Sequence, residues 1–95
     1  MPEMRFNIRW PDGRAESCYS PSLVIKDFFA PGESYPLDAF LSSARKALTI
    51  ASDRVAARYG FPCSRAIGQL ARIEAAGAQY RDAPDARVTV ESFQD

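Results

Sequence analysis

The alternation over residues 4–10 constrains this chain more than any other feature. Met4, Phe6, Ile8 and Trp10 are interleaved with Arg5, Asn7 and Arg9, and a period of two builds a strand with one apolar and one polar face. An apolar sheet face must be covered by a second layer, so the strand alone calls for a packed architecture. Pro11-Asp12-Gly13 follows directly. Pro presets a turn, Asp bonds its own backbone, and Gly accepts a left-handed conformation. The expectation is a hairpin into a second strand over about residues 15–19.

Two registers of that hairpin compete. A three-residue loop with a Gly bulge pairs Trp10 with Arg14 and Phe6 with Cys18, and places Glu16 on the apolar face. A four-residue loop places Ala15, Ser17 and Tyr19 there instead. The first suits the turn chemistry and the second suits burial, and one residue of slip exchanges every side chain between faces. The orientation of Cys18 therefore stays open at the sequence level.

Downstream the period changes. Ser20-Pro21-Ser22-Leu23 reads as a capped helix start, opening a short helix over about 21–28 whose Leu23, Val24, Phe28 and Phe29 plug one end of the core. Ala30-Pro31-Gly32-Glu33-Ser34 reads as a loop. A long helix follows over about 36–59. Leu37, Phe40, Leu41, Ala44, Leu48, Ala51 and Val55 form its stripe, and Gly60 stops it. A second helix over about 64–80 presents Ala66, Ile67, Leu70, Ile73 and Gly77, small enough in places for close packing. The short connection makes the two antiparallel. After the turn-rich Asp82-Ala83-Pro84-Asp85, a last strand over 87–91 turns Val88 and Val90 inward and Phe93 to the opposite side. With no repeat and no linker, the prediction is a single α+β domain. It is a two-layer sandwich in which a helical hairpin covers a three-stranded sheet, in the order β-β-α-α-α-β.

Composition narrows the chemistry. The 95 residues contain no histidine, which removes histidine-based triads, histidine metal sites and histidine pH switching. Two cysteines are too few for a disulfide scaffold or a four-cysteine zinc site. Neither a signal-peptide pattern nor a bilayer-length apolar run is present, so the expected setting is the cytoplasm, with reduced thiols and no membrane contact. Twelve basic and twelve acidic residues balance, which argues against a bulk polyanion binder. No metal or cofactor motif is recognisable, and the glycine spacing fits neither phosphate-loop fingerprint.

The charge is unevenly placed. Residues 39–73 carry Arg45, Lys46, Arg54, Arg58, Arg65 and Arg72 against Asp53 alone. Arg45, Arg54, Arg58, Arg65 and Arg72 are a candidate basic face for an acidic partner, although a merely solvated face is the ordinary reading of such a run. Aromatics are not interleaved with them, which argues against nucleic acid. Cys63 precedes a helix with Arg65 near, a setting that activates thiols, but a small buried residue explains it as well. Cys18-Tyr19-Ser20-Pro21-Ser22 joins a strand to a helix start, where anions bind and where ordinary caps also sit. Cys18, Tyr19, Ser20, Ser22 and Cys63 are thus the candidate binding residues, and no catalytic residue is assigned. Glu74 lies near an apolar face, where it is either paired with a nearby arginine, the favoured reading, or a desolvated acid. An open sheet edge offers a route to a homo-oligomer.

Taken together, Met4-Arg5-Phe6, Arg9-Trp10-Pro11-Asp12-Gly13, Cys18-Tyr19-Ser20-Pro21-Ser22, Tyr35-Pro36-Leu37, Tyr59-Gly60-Phe61, Cys63 and Ala86-Arg87-Val88-Thr89-Val90 resemble a family of small bacterial nitrogen starvation response proteins, over nearly the whole chain. The resemblance implies a setting rather than a reaction. Genes of that family lie in clusters with a nitrilase, a radical SAM protein, an acetyltransferase-like protein and a flavin-dependent oxidoreductase, linked to nitrogen limitation and to nitrile or cyanide assimilation. The expectation is a non-catalytic accessory protein that binds enzymes of its own gene cluster. The alternative is a small enzyme or ligand-binding protein using Cys18 or Cys63 with Tyr19.

Overall fold

The computed structural model describes residues 3–94. Strands β1 (Met4–Arg9), β2 (Ala15–Ser20), β3 (Glu33–Pro36) and β4 (Arg87–Gln94) form one antiparallel sheet in the order β2-β1-β4-β3. Helices α1 (Leu37–Tyr59) and α2 (Ser64–Ala78) supply the other layer, and a 3-10 helix, Leu23–Asp27, packs against α1.

The hairpin adopts the register with Glu16 facing inward. Phe6 pairs with Cys18 and Ile8 with Glu16, and the Trp10 N–H donates to the Arg14 carbonyl at 2.8 Å. Turn chemistry prevails because the acidic side chain finds a partner: the Trp10 indole N–H donates to Glu16 Oε1 at 2.9 Å. Gly13 holds φ +91°, a conformation that disfavours any side chain. The Arg14 N–H donates to Asp12 Oδ1 at 2.9 Å, the local bond expected of an aspartate in a turn.

The sheet has four strands, not three. Glu33 and Ser34 fall in the segment that reads as a loop, and Pro36 falls at the expected start of the long helix, because residues 33–36 lack apolar alternation. Their pairing is wholly non-local, Glu33 with Val90 through Pro36 with Arg87. Pro36 is tolerated because β3 is an edge strand. Phe93 also departs from expectation. Ile8 pairs with Val90 but Asn7 pairs with Ser92, so Glu91 is an extra residue, a β-bulge. The bulge swings Phe93 back opposite Phe6, half-buried against the core.

The short helix is a 3-10 turn beginning after Ser22, not Ser20. Ser22 Oγ accepts from the Val24 N–H, and Val24 and Ile25 are buried while Leu23 is exposed. The long helix matches its expected span closely. Leu37, Phe40, Ala44, Leu48 and Ala51 are buried with Ala47 and Ser52 added, and Gly60 ends the helix in the left-handed conformation at φ +87°. In α2, Ala66, Ile73 and Gly77 face inward as expected, but Ile67 is exposed and Gln69 is buried. A Cβ on Gly77 would lie 2.8 Å from Leu41 Cδ2, so the glycine is what lets the two helices approach here.

The core is strongly aromatic. Trp10 stacks on Tyr80 and meets Phe40 edge-on, and Phe40 continues through Phe29 to Phe6 and Tyr35. Each large side chain so enclosed contributes about 1.5–3 kcal/mol by leaving water. Among the described residues no helix is long and apolar enough to cross a membrane.

Candidate functional site

The candidate residues do not converge on one place. Cys18 points into the core, fully buried beside Phe6, and burial pushes its thiol far above the ordinary range. Ser20 and Ser22 are buried in a local network: Ser20 Oγ donates to the Ser22 carbonyl at 2.7 Å, and Arg54 donates to Ser22 Oγ at 3.0 Å. These serines and Arg54 anchor the 3-10 turn to α1. Cys63 is half-buried against the core, its N–H donating to Ser52 Oγ at 3.2 Å. Both cysteines are free thiols.

The basic face divides in the same way. Arg45 pairs with Glu74 across the helical hairpin, the arginine pairing that the placement of Glu74 favoured. Arg58 lies over the Tyr59 ring at 5.8 Å. Only Arg65 and Arg72 face a common concavity.

That concavity lies where α2 runs alongside β2, one of the two edge strands of the sheet. Tyr19, Ser17 and Arg5 form the sheet side, and Ser64, Arg65, Gly68, Gln69 and Arg72 form the helix side, around about 380 Å³. The local sequence explains the placement. On β2, even-numbered residues bond to β1 and odd-numbered ones turn their backbone groups outward. The Tyr19 N–H is one of these outward donors, and it meets Gln69 Oε1 at 3.0 Å. Arg65 and Arg72 each sit about one turn from Gln69, one before it and one after it, along the same side of α2, and Arg5 projects from the polar face of β1.

Arg65 is held in place. Its guanidinium lies 4.0 Å above the Tyr19 ring, and Glu3 Oε2 stands 4.0 Å from its Nη1. The Tyr19 hydroxyl donates to the same Glu3 oxygen at 3.1 Å. Burial, then that bond to Glu3, push the Tyr19 hydroxyl above its ordinary value. Sequence reasoning named Tyr19, Arg65 and Arg72 but not Arg5 or Gln69. Arg5 lies far along the chain from α2, and Gln69 interrupts the apolar stripe of α2 without showing what it meets. No cluster of three or more potential metal ligands exists among the described residues.

A family model described as nitrogen starvation-induced protein NitG matches residues 5–93. The chain belongs to this family. The match spans every element except the first residue of β1 and the last of β4, and so covers the cleft and the helical hairpin alike. Comparison with curated proteins and with solved structures finds no match.

A second surface stands out by its chemistry. At the turn between the helices Tyr59 is 53% and Phe61 67% exposed, and Ile67, one turn into α2, is 55% exposed. Pro62 and Ile67 line a shallow groove between the helices with Leu48 and Leu70 at its floor. Large apolar side chains gathered at one exposed place mark contact surfaces more often than single scattered ones.

Proposed function

We propose that this nitrogen starvation-induced protein is a non-catalytic accessory protein that docks on enzymes encoded in its own gene cluster. The observation that carries this reading is the exposed apolar tip of the helical hairpin, Tyr59, Phe61 and Ile67. Aromatic and aliphatic anchors of this size supply most of the energy of protein contacts once desolvated. The flanking Arg58 and Asp53 would form the polar rim that such contacts carry. The alternative, a small enzyme or ligand-binding protein using Cys18 or Cys63 with Tyr19, has weaker support at Cys18, which is enclosed and whose thiol is pushed up by burial.

Affinity capture from nitrogen-starved cells tests the proposal, with the wild-type chain beside the Phe61→Asp/Ile67→Asp double variant. The expected result is a cluster enzyme retained by the wild type and lost by a variant whose circular dichroism is unchanged. Recovery of no cluster enzyme by the wild type, or equal recovery by both chains, would overturn it.

A further inference from the structure

The cleft between β2 and α2 has the makings of a binding site that the docking proposal does not use. Three guanidinium groups, Arg5, Arg65 and Arg72, face it, and among the described residues no carboxylate lines it. Glu3 approaches Arg65 at 4.0 Å, but it belongs to the wall of the neighbouring depression. Three like charges around one concavity repel one another unless an anion sits between them.

An independent observation points to the same ligand. Gln69, another wall residue, is only 6% exposed. Its Oε1 is committed to the Tyr19 N–H, while its Nε2 is buried with no acceptor. Leaving such a donor unpaired is costly; Nε2 has no exposed surface of its own, so it reaches an oxyanion in the cleft by a rotation of the Gln69 side chain. The start of α2 adds to this. Cys63, its N-cap residue, makes no side-chain bond to the first turn, so backbone N–H groups remain there beside Ser64, at the positive end of the helix dipole.

We propose that this cleft binds the phosphate group of a small metabolite. Planar guanidinium forks match the several acceptor oxygens of a phosphate dianion, and the volume of about 380 Å³ lies within the range of small-molecule pockets. Arg65, fixed by the Tyr19 ring, supplies a donor already in position. Arg5 and Arg72 close on the anion from the sheet and the helix.

The test is titration of the isotope-labelled protein at constant ionic strength, followed by NMR. One arm uses inorganic phosphate, a second glycerol 3-phosphate, and chloride is the reference. Saturable shifts of the Gln69 side-chain amide and of the Ser64 and Arg65 backbone amides are expected in either phosphate arm. Tighter binding of glycerol 3-phosphate assigns the site to phosphomonoesters, and tighter binding of inorganic phosphate assigns it to the free ion. Arg65→Ala and Arg72→Ala should each weaken binding by about tenfold or more, the loss expected for one charged hydrogen bond, while Arg58→Ala leaves it unchanged. Non-saturating shifts equal to those with chloride would overturn the proposal, as would equal weakening by Arg58→Ala. No partner protein is present in this measurement, so the two proposals stand or fall separately.

Discussion

The Trp10 indole and the Glu16 carboxylate are bonded across the β1–β2 hairpin at 2.9 Å, and this bond accommodates an acid on the inner face of the sheet. Glu16→Ala removes the acceptor and leaves a part-buried indole N–H unpaired. The expected loss is about 1–2 kcal/mol. It would be read as a lower urea midpoint with unchanged slope, followed by the fluorescence of Trp10, the sole tryptophan. Glu16→Gln keeps an acceptor and should lose less.

Cys18 gives the fold an alkaline limit. Its thiol is neutral in the folded state and its pKa is raised above the ordinary 9.0, so the folded chain holds this proton more tightly than the unfolded chain. Below about pH 9 the stabilisation is fully present. Above it the unfolded thiol ionises first, and stability falls as pH rises. Thermal melts from pH 7 upward should show a steeper alkaline decline in the wild type than in Cys18→Ala. That difference is the informative quantity, because the hydroxyls of Tyr19 and Tyr80 are raised too.

Thiol labelling gives a second view of the same burial. A thiol reagent should modify Cys63 in the native protein well before Cys18, with Cys18 reacting only on opening. Mass spectrometry of peptides from timed samples checks the order. Equal rates at the two positions would contradict the enclosure of Cys18.

Two glycines should respond to alanine with opposite signs. Gly60 sits at φ +87° with open space around it, so Gly60→Ala meets backbone strain alone, about 1–2 kcal/mol. Gly68 is helical, also with open space, so Gly68→Ala should stabilise by about 0.5–1 kcal/mol. Paired denaturant curves settle both signs at once.

The acid limb has a local source as well. The Arg14 N–H bonded to Asp12 holds that carboxyl below the usual range. A depressed pKa contributes stability above the unfolded value of 3.8, lost as pH falls through the folded one. Asp12→Asn should therefore flatten the decline below about pH 4, seen in melts against pH.

Local periodicity made β1, the two helices and the Gly60 stop legible, because each signal lies within a few neighbouring residues. What escaped depends on distant partners. β3 is a strand only because β4 lies beside it, and Phe93 faces inward only because Glu91 is extruded from the ladder. The cleft was half legible for the same reason. Arg65 and Arg72 stood out as charges on one helix, whereas Arg5 joins them through the approach of α2 to the sheet. Gln69 is polar where the helix pattern asks for an apolar residue, and its role emerges only from the Tyr19 amide it meets.

That meeting of Gln69 with β2 has a consequence for how the molecule behaves in a crowd. The outermost strand of a sheet is a ready template for a neighbour to extend. Here one outward amide of that strand is already occupied by a side chain from the same molecule. A copy arriving at this border must first displace the glutamine, so self-templated growth into ribbons is discouraged along β2.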